Sequence, residues 1–419
     1  MKEKKIFERN FLSGASILLI LNLLASAMNY VYQILIAGVL GVEAFGTINT
    51  IFSVMLVVAV PGTTITMLAA RYLAICIEKK SYGACRSYVR KLTMQVTVLG
   101  GVILLAGIVL HNILGVFLKI DDTVILFMLA VICALGYYHP LYSGCMSGLK
   151  RFLPLGIYGL FIPVYKFIGL GLATQFHMEY QRLLVCLFAI IPGSIFTAVL
   201  GFWYVKRNLS GGEKESVTEI PEKDQWLDSL IVNVCVVLYM NIDILAVRHI
   251  GGVKLSGIYS AVTLFGRIIY YGATSLGTVL LPMVATKSPK EAFKMLRKIL
   301  LFVGSVSILG LTVLNMIKTP LISFIYGTAY LEAADYLIYV SMISLSTGLL
   351  TIMINFFVGV SYVSVPRNAL LALAVVILAA VFLSESVTVT LMTIGISGLI
   401  CVIYLFIQYR FKIQKQREK

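Results

Sequence analysis

Residues Gly41–Asn49 read GVEAFGTIN, and residues Gly252–Ser260, about half the chain length further on, read GVKLSGIYS. Each block has a Gly-Val pair, three variable residues and a second glycine. Each block also lies where one apolar stretch ends and another begins. This repeat predicts two related halves in one membrane. Many membrane proteins that move solutes are built from such paired halves, with a binding site near the bilayer midplane.

The composition around these blocks is that of a membrane protein. Of the 419 residues, 59% are hydrophobic and only 13% are charged, and the mean hydropathy is +0.95. A soluble domain carries about 25% charged residues. Apolar runs of about 20 residues, each long enough to cross ~30 Å of hydrocarbon, recur from end to end. The sequence therefore predicts an all-α polytopic membrane protein.

The apolar runs predict twelve transmembrane helices, in two six-helix bundles around a central cavity. The predicted spans are 12–36, 47–70, 92–113, 123–147, 155–176, 182–205, 226–250, 257–285, 295–317, 331–358, 366–384 and 388–409. Residues 1–208 are predicted to form the N-terminal bundle and residues 226–419 the C-terminal bundle. Residues 209–225 are rich in Gly, Ser and charge, which is typical of a flexible cytoplasmic linker.

Basic residues indicate the orientation of the chain. The net charge is +15, and most Lys and Arg residues lie in the N-terminus, the C-terminus and alternate loops. The predicted outer loops contain few basic residues: Lys119, Arg182, Arg248, Lys254 and Lys318. This asymmetry predicts that both termini are cytoplasmic. The positive charge is then explained by topology and anionic lipids, and it does not indicate a nucleic-acid partner.

Three ionisable residues lie deep within the predicted spans, where each is costly. Lys166 is halfway along the fifth span, and Arg267 and Asp243 are at similar depths in the eighth and seventh. One interpretation is a structural Asp243–Arg267 ion pair with a snorkelling Lys166. The other is that Lys166 and Arg267 line a wet cavity and attract an anion such as phosphate, with Asp243 as a candidate for ion coupling.

Polar residues on helix faces favour a cavity. In the first span, Asn22, Asn29 and Gln33 share one face with Ser26. Tyr270 shares a broad face with Arg267, and Asn355 ends a polar stripe in the tenth span. The alternative is that such residues hold helices together by hydrogen bonds.

Sequence motifs for enzymatic chemistry are absent. The chain has no GxxxxGK[ST] phosphate loop, no HExxH and no GxSxG. Its seven cysteines have no metal-ligand spacing. We therefore expect no enzymatic activity, no cofactor and no metal site.

Residues 241–284, NIDILAVRHIGGVKLSGIYSAVTLFGRIIYYGATSLGTVLLPMV, resemble the seventh and eighth helices of the polysaccharide transporter family. The resemblance lies in Asp243, in the Gly-x-Tyr-Ser-Ala run from Gly257 to Ala261, and in Pro282. Residues 35–54 are similar to the first turn of that family, and residues 321–342 to the approach to its tenth helix. The family belongs to the multidrug/oligosaccharidyl-lipid/polysaccharide exporter superfamily.

The resemblance implies a flippase that moves undecaprenyl-pyrophosphate-linked oligosaccharide from the inner to the outer leaflet of a bacterial cytoplasmic membrane by alternating access. The expected partners are the lipid-linked oligosaccharide, membrane lipids, a coupling H⁺ or Na⁺, and the glycan polymerase and glycosyltransferases of the same pathway. Peptidoglycan-precursor flippases of the superfamily generally have fourteen helices, so twelve argues against that branch. The alternative is a cation-coupled multidrug exporter of the same fold.

Overall fold

The computed structural model describes residues 2–78, 81–209, 223–285, 288–360, 362 and 364–415. These residues form helices, and no strand occurs among them. The predicted linker at 209–225 falls mostly at residues 210–222, outside the described residues. The helices are α1 (Lys2–Leu40), α2 (Val42–Val58), α3 (Val60–Glu78), α4 (Tyr82–Val109), α5 (His111–Leu118), α6 (Thr123–Leu135), α7 (Tyr138–Gly148), α8 (Phe152–Ala173), α9 (Glu179–Asn208), α10 (Lys223–Ala285), α11 (Pro289–Met316), α12 (Lys318–Tyr326), a 3₁₀ segment (Thr328–Tyr336), α13 (Leu337–Gly359), α14 (Ser364–Leu383) and α15 (Val387–Lys415).

Eleven helical segments among the described residues are long and apolar enough to cross a membrane. One of them, Val234–Arg267, contains two predicted spans, because α10 has non-helical backbone at Gly252 and so consists of two arms. The shorter apolar helix α2 leads directly into α3. Counting the arms of α10 separately, and α2 with α3 as one crossing, recovers the twelve predicted spans. The predicted all-α polytopic class is confirmed.

The second predicted span, 47–70, differs most from the helices observed. The chain leaves one helix at Val58 and begins the next at Val60, so the span straddles α2 and α3. Pro61 explains the break, because proline has no N–H to donate and is tolerated only in the first turn of a helix.

The repeated blocks have the same backbone turn. Gly41 has φ 76° and Gly252 has φ 84°. This left-handed region is one that glycine enters at little cost and residues with a Cβ rarely adopt. The first glycine of each block therefore turns the chain from one helix into the next.

Contacts divide the chain into two compact units. Unit 1 comprises Met1–Ala44 and Val58–Pro221, and unit 2 comprises Phe45–Val57 and Glu222–Lys419. Most of α2 thus lies in unit 2, although it precedes α3 of unit 1 in the sequence.

Small residues let helices approach closely within each unit. In unit 1, a Cβ on Gly144 of α7 would lie 2.5 Å from the Thr66 carbonyl oxygen of α3. A Cβ on Gly148 would similarly lie 2.6 Å from the Ala70 carbonyl oxygen. In unit 2, a Cβ on Gly266 of α10 would lie 2.7 Å from Val340 Cγ1 of α13. These are small-xxx-small contacts of the kind that pack membrane helices.

Arg248 is placed differently from its expected position in an outer loop. The first arm of α10 continues past it to Gly251, and the side chain is only 1% exposed. Its buried environment is described below.

Candidate functional site

In unit 1, the deep cation Lys166 is held by helix α1. Helices α1 and α8 pack side by side in the same direction, since Gly156 lies against Leu21 and Lys166 against Asn29. The Lys166 Nζ donates to Asn29 Oδ1 at 3.2 Å. It also lies 5.7 Å from the centre of the Tyr32 ring, within range of a cation–π contact.

The Asn29 carboxamide is oriented by its own helix. Its Nδ2 donates to the carbonyl oxygen of Ala25 at 3.0 Å, one turn back, so its oxygen is directed to the lysine. An amide oxygen solvates an ammonium group partially and brings no negative charge. Asn29 therefore holds Lys166 in place without neutralising it.

The other polar residues predicted on α1 are less closely tied to the lysine. Gln33 is partly buried one turn beyond Asn29, whereas Asn22 is exposed and lies about 10 Å back along the helix axis. The structure thus brings Asn29 to Lys166, and it leaves Asn22 at a distance from them along α1.

In unit 2, Arg267 is held in the same way. Its Nη2 donates to Asn241 Oδ1 at 3.2 Å. The Asn241 Nδ2 in turn donates to the Val237 carbonyl oxygen, again one turn back, at 2.9 Å. Asn29 and Asn241 precede the positive-φ glycines of the two repeated blocks, Gly41 and Gly252, by nearly the same number of residues. Lys166 in unit 1 and Arg267 in unit 2 therefore each face the oxygen of an asparagine whose nitrogen bonds to its own helix.

Arg267 and Asp243 border one small cleft, which is partly open. Its lining residues are Met240, Asp243, Thr263, Arg267, Tyr270, Val340, Ile343, Ser344 and Thr347. The space that a water molecule can occupy is enough for roughly one or two waters. This cleft fits an ion or water.

Asp243 is 5% exposed and is bonded through one oxygen only. The Tyr259 hydroxyl donates to Asp243 Oδ2 at 2.8 Å. Among the described residues, Asp243 Oδ1 is enclosed without a hydrogen-bond partner. Since Arg267 bonds to Asn241 and Asp243 bonds to Tyr259, these two charged side chains line the same cleft without a direct ion pair. The simple structural pair is therefore not the arrangement observed.

Tyr270 and Asn355 occupy different positions in unit 2. Tyr270 lines the cleft with Arg267. Asn355 is partly buried about 12 Å along α13 from Thr347, so the structure does not bring it to the cleft.

Two contributing residues, Tyr32 and Asn241, were not identified from the sequence. Tyr32 follows Asn29 at helical spacing, but an aromatic side chain within an apolar run is typical of ordinary packing. Asn241 lies two residues before Asp243, and only the orientation of the two α10 arms shows that it meets Arg267. Asparagines that lie at a similar depth to a cation in another span are a possible sequence signal for such contacts. A search for that signal would have suggested both Asn29 and Asn241.

Comparisons with known proteins identify the fold. No family model matches the chain, and no curated protein matches it in sequence. Among solved structures, a multidrug resistance MATE family transporter of the MOP superfamily in an inward-facing conformation aligns with a TM-score of 0.71 at 10% identity, covering 94% of this chain and 96% of that one.

Two further structures have the same fold. The lipid II flippase MurJ, in an inward closed conformation, aligns with a TM-score of 0.69 at 16% identity, covering 94% of this chain and 87% of that one. A MOP superfamily transporter from Pyrococcus furiosus, described as having a binding pocket of reverse polarity, aligns with a TM-score of 0.56 at 13% identity, over 96% and 94% of the chains. The chain therefore has the fold of MOP superfamily transporters.

Proposed function

We propose that this chain is a flippase that moves undecaprenyl-pyrophosphate-linked oligosaccharide from the inner to the outer leaflet of a bacterial cytoplasmic membrane by alternating access. Transfer of a charged, hydrated headgroup through hydrocarbon is prohibitively costly without a polar path. In this proposal Lys166 and Arg267 attract the diphosphate, while Asn22, Asn29, Gln33, Tyr270 and Asn355 contact the sugars. The chain catalyses no covalent step and needs no cofactor or metal.

The observation that carries this proposal is that the two deep cations have matching hydrogen-bond partners. Lys166 and Arg267 each face the oxygen of an asparagine whose nitrogen is already bonded to its own helix. An asparagine oxygen brings no opposite charge, so these contacts leave the attraction of each cation for an incoming anion in place. Arginine suits phosphate through its planar fork, and lysine contributes a movable point charge.

Coupling to an ion gradient is assigned to Asp243. Its carboxylate borders a cleft that fits one or two water-sized species, and one oxygen is unpaired. The proposed coupling ion is H⁺ or Na⁺. The proposed partners beyond the substrate and the membrane lipids are the glycan polymerase and glycosyltransferases of the same pathway, and both chain termini are cytoplasmic.

A cation-coupled multidrug exporter is the second candidate function. It is favoured by the fold shared with a MATE transporter and by the buried carboxylate of Asp243. An exporter of organic cations needs negative charge in its binding site, however, and the deep basic residues Lys166 and Arg267 outnumber that one acid.

Surface glycan in cells that lack the native gene tests the flippase. Complementation with Lys166→Ala or Arg267→Ala is expected to lower surface glycan severalfold at unchanged protein level, because each change removes one attraction for the diphosphate. Lys166→Arg and Arg267→Lys are expected to retain part of the activity. Lys254→Ala, at an exposed position, is the control. Normal surface glycan with both alanine variants would exclude anion capture by these residues, and resistance to cationic dyes would favour the exporter.

A second set of variants in the same assay separates charge from packing. Asn29→Asp and Asn241→Asp keep the side-chain shape but give each cation a carboxylate partner, so both are expected to lower surface glycan. Asn315→Asp is the matched control, because Asn315 also donates to the carbonyl oxygen one turn back but faces the Ser341 hydroxyl. Equal effects of all three substitutions would indicate a packing role only.

A further inference from the structure

Arg248 is a buried arginine that the proposed transport does not use. It lies near the end of the first arm of α10 and is 1% exposed. Its Nη1 donates to Thr47 Oγ1 of α2 at 3.2 Å and to Ser256 Oγ of the second α10 arm at 3.3 Å. One guanidinium nitrogen thus connects three helical segments of unit 2.

The two repeated blocks touch at the same place. A Cβ on Gly46 would lie 2.5 Å from the Gly257 nitrogen and 2.8 Å from the Val253 carbonyl oxygen. Gly46 and Gly257 are the second glycines of the two blocks. The start of α2 therefore crosses the start of the second α10 arm at backbone contact distance, and only glycine fits at Gly46.

Aromatic packing anchors the same end of α2. The Phe45 ring is 1% exposed and lies 6.5 Å from the Tyr326 ring and 6.1 Å from the Tyr330 ring, measured between ring centres. Such ring contacts and glycine crossings have no long side chains that interlock, so they can separate and re-form without rotamer rearrangement.

The polar part of this contact is well suited to opening and closing. Hydrogen bonds from a charged group to hydroxyls stabilise the closed contact. Burying a guanidinium costs free energy in lost hydration, which is recovered when water reaches it. Hydration of Arg248 therefore opposes the closed contact.

We propose that Arg248 is a positioning residue that latches α2 to α10 and that this latch opens during transport. Opening admits water from the outer side to the part of α2 that follows Thr47, including Asn49. The inference rests on the proposed function for its role in transport and on the predicted orientation for its side of the membrane. It adds a residue outside the anion-attracting and ion-coupling groups.

A cysteine reporter tests the latch without substrate. Asn49→Cys is a suitable reporter, because Asn49 is 8% exposed and its Nδ2 donates to the Phe45 carbonyl oxygen of its own helix. Intact cells are treated with a membrane-impermeant maleimide, and mass spectrometry measures labelling at position 49. The seven native cysteines are all buried, and their labelling in the same spectra reports general unfolding.

Arg248→Ala is expected to raise the labelling rate at position 49 severalfold, because the two hydroxyl contacts are lost. Arg248→Lys, which keeps the charge but not the fork, is expected to give an intermediate rate. Lys254→Ala, an exposed change two residues after the Gly252 turn, should leave the rate unchanged. If Arg248→Ala is not produced as folded protein, Thr47→Val removes one of the two contacts and is expected to raise labelling by a smaller factor.

Two results would overturn the latch. One is an unchanged labelling rate at position 49 in two separate variants: Arg248→Lys, and either Arg248→Ala or Thr47→Val. The other is a rate that rises equally at position 49 and at the native cysteines, which would show that Arg248 serves only stability. Surface glycan is scored separately. A selective rise in the labelling rate at position 49 supports the latch even if Lys166→Ala and Arg267→Ala leave surface glycan normal. In that case the flippase proposal fails and the latch stands.

Discussion

At the scale of single residues, the molecule holds buried charge with neutral partners. Lys166 and Arg267 face asparagine oxygens, Asp243 accepts from the Tyr259 hydroxyl, and Arg248 donates to two hydroxyls. These neutral contacts reduce the cost of burial and bring no opposite charge. In the proposed function, Lys166 and Arg267 attract an anion for this reason.

Asp243→Asn is expected to remove the ion dependence of transport while preserving the fold. The amide oxygen can still accept from Tyr259, and the substitution removes a buried charge that is costly to desolvate. Thermal unfolding in detergent should therefore show a midpoint equal to or above that of the wild type. Tyr259→Phe should lower stability by about 1–3 kcal/mol, because it removes the Tyr259 hydrogen bond to the buried Asp243 carboxylate.

Transport measured with imposed H⁺ and Na⁺ gradients completes this prediction. Asp335→Asn, at an exposed carboxylate, is the control and should keep the wild-type dependence. An Asp243→Asn variant that still responds fully to both gradients would contradict the coupling role.

At the scale of helices, a Gly-x-x-x-Gly run on α7 makes a close backbone contact in unit 1. Gly144 and Gly148 place α7 directly on the backbone of α3 at Thr66 and Ala70. The Thr66 hydroxyl also donates to the Pro140 carbonyl oxygen at 2.9 Å, a carbonyl close to the start of α7. This crossing fixes how α3 and α7 are rotated relative to each other.

Gly144→Ala is expected to destabilise the protein by about 1–3 kcal/mol, because its methyl group would overlap rigid backbone of α3. Gly159→Ala is the matched control on α8, since a Cβ there has nothing within 4 Å. That control should be neutral or stabilising, because alanine favours helix more than glycine does. The measurement is the thermal unfolding midpoint of both variants in the same detergent, and equal midpoints would contradict the close crossing.

At the scale of the whole molecule, the distribution of basic residues predicts the orientation. Long apolar helices alternate with short turns, and the basic residues concentrate in the termini and alternate loops, which are predicted to lie on one side of the membrane. Arg248 is the exception, because it is buried within unit 2. Removing it from the outer charges strengthens the asymmetry, since the predicted outer loops then contain even fewer basic residues.

Reporter fusions test this orientation. A fluorescent protein joined after Lys419 is expected to fluoresce, because that end is predicted to be cytoplasmic. Alkaline phosphatase inserted at the turn between Asp121 and Asp122 is expected to be active, because that turn is predicted to be external. Exchanging the two reporters is the control and should abolish both signals. Active phosphatase at the C-terminus would reverse the assignment.

Most of the fold was predictable because its determinants are local. Apolar run length decides which segments cross a membrane, and the positive φ of Gly41 and Gly252 follows from glycine in a repeated turn motif. The break between α2 and α3 was missed because its signal, Pro61, sits inside an apolar run. The Gly144–Gly148 run was available in the sequence, but its partners on α3 were not. The roles of the seven substrate-contact residues and of Asp243 stay predictions.

The sequence by itself determined the all-α membrane class, the two repeated turns and the presence of a few charges within apolar helices, because hydrophobicity, glycine and formal charge act over a single turn or a single span. Only the tertiary structure decided which side chains those charges meet: Asn29 for Lys166, Asn241 for Arg267, Tyr259 for Asp243, and Thr47 and Ser256 for Arg248. These pairings depend on how each helix is rotated about its axis. That rotation is set by packing between segments as much as 201 residues apart, which no local pattern specifies.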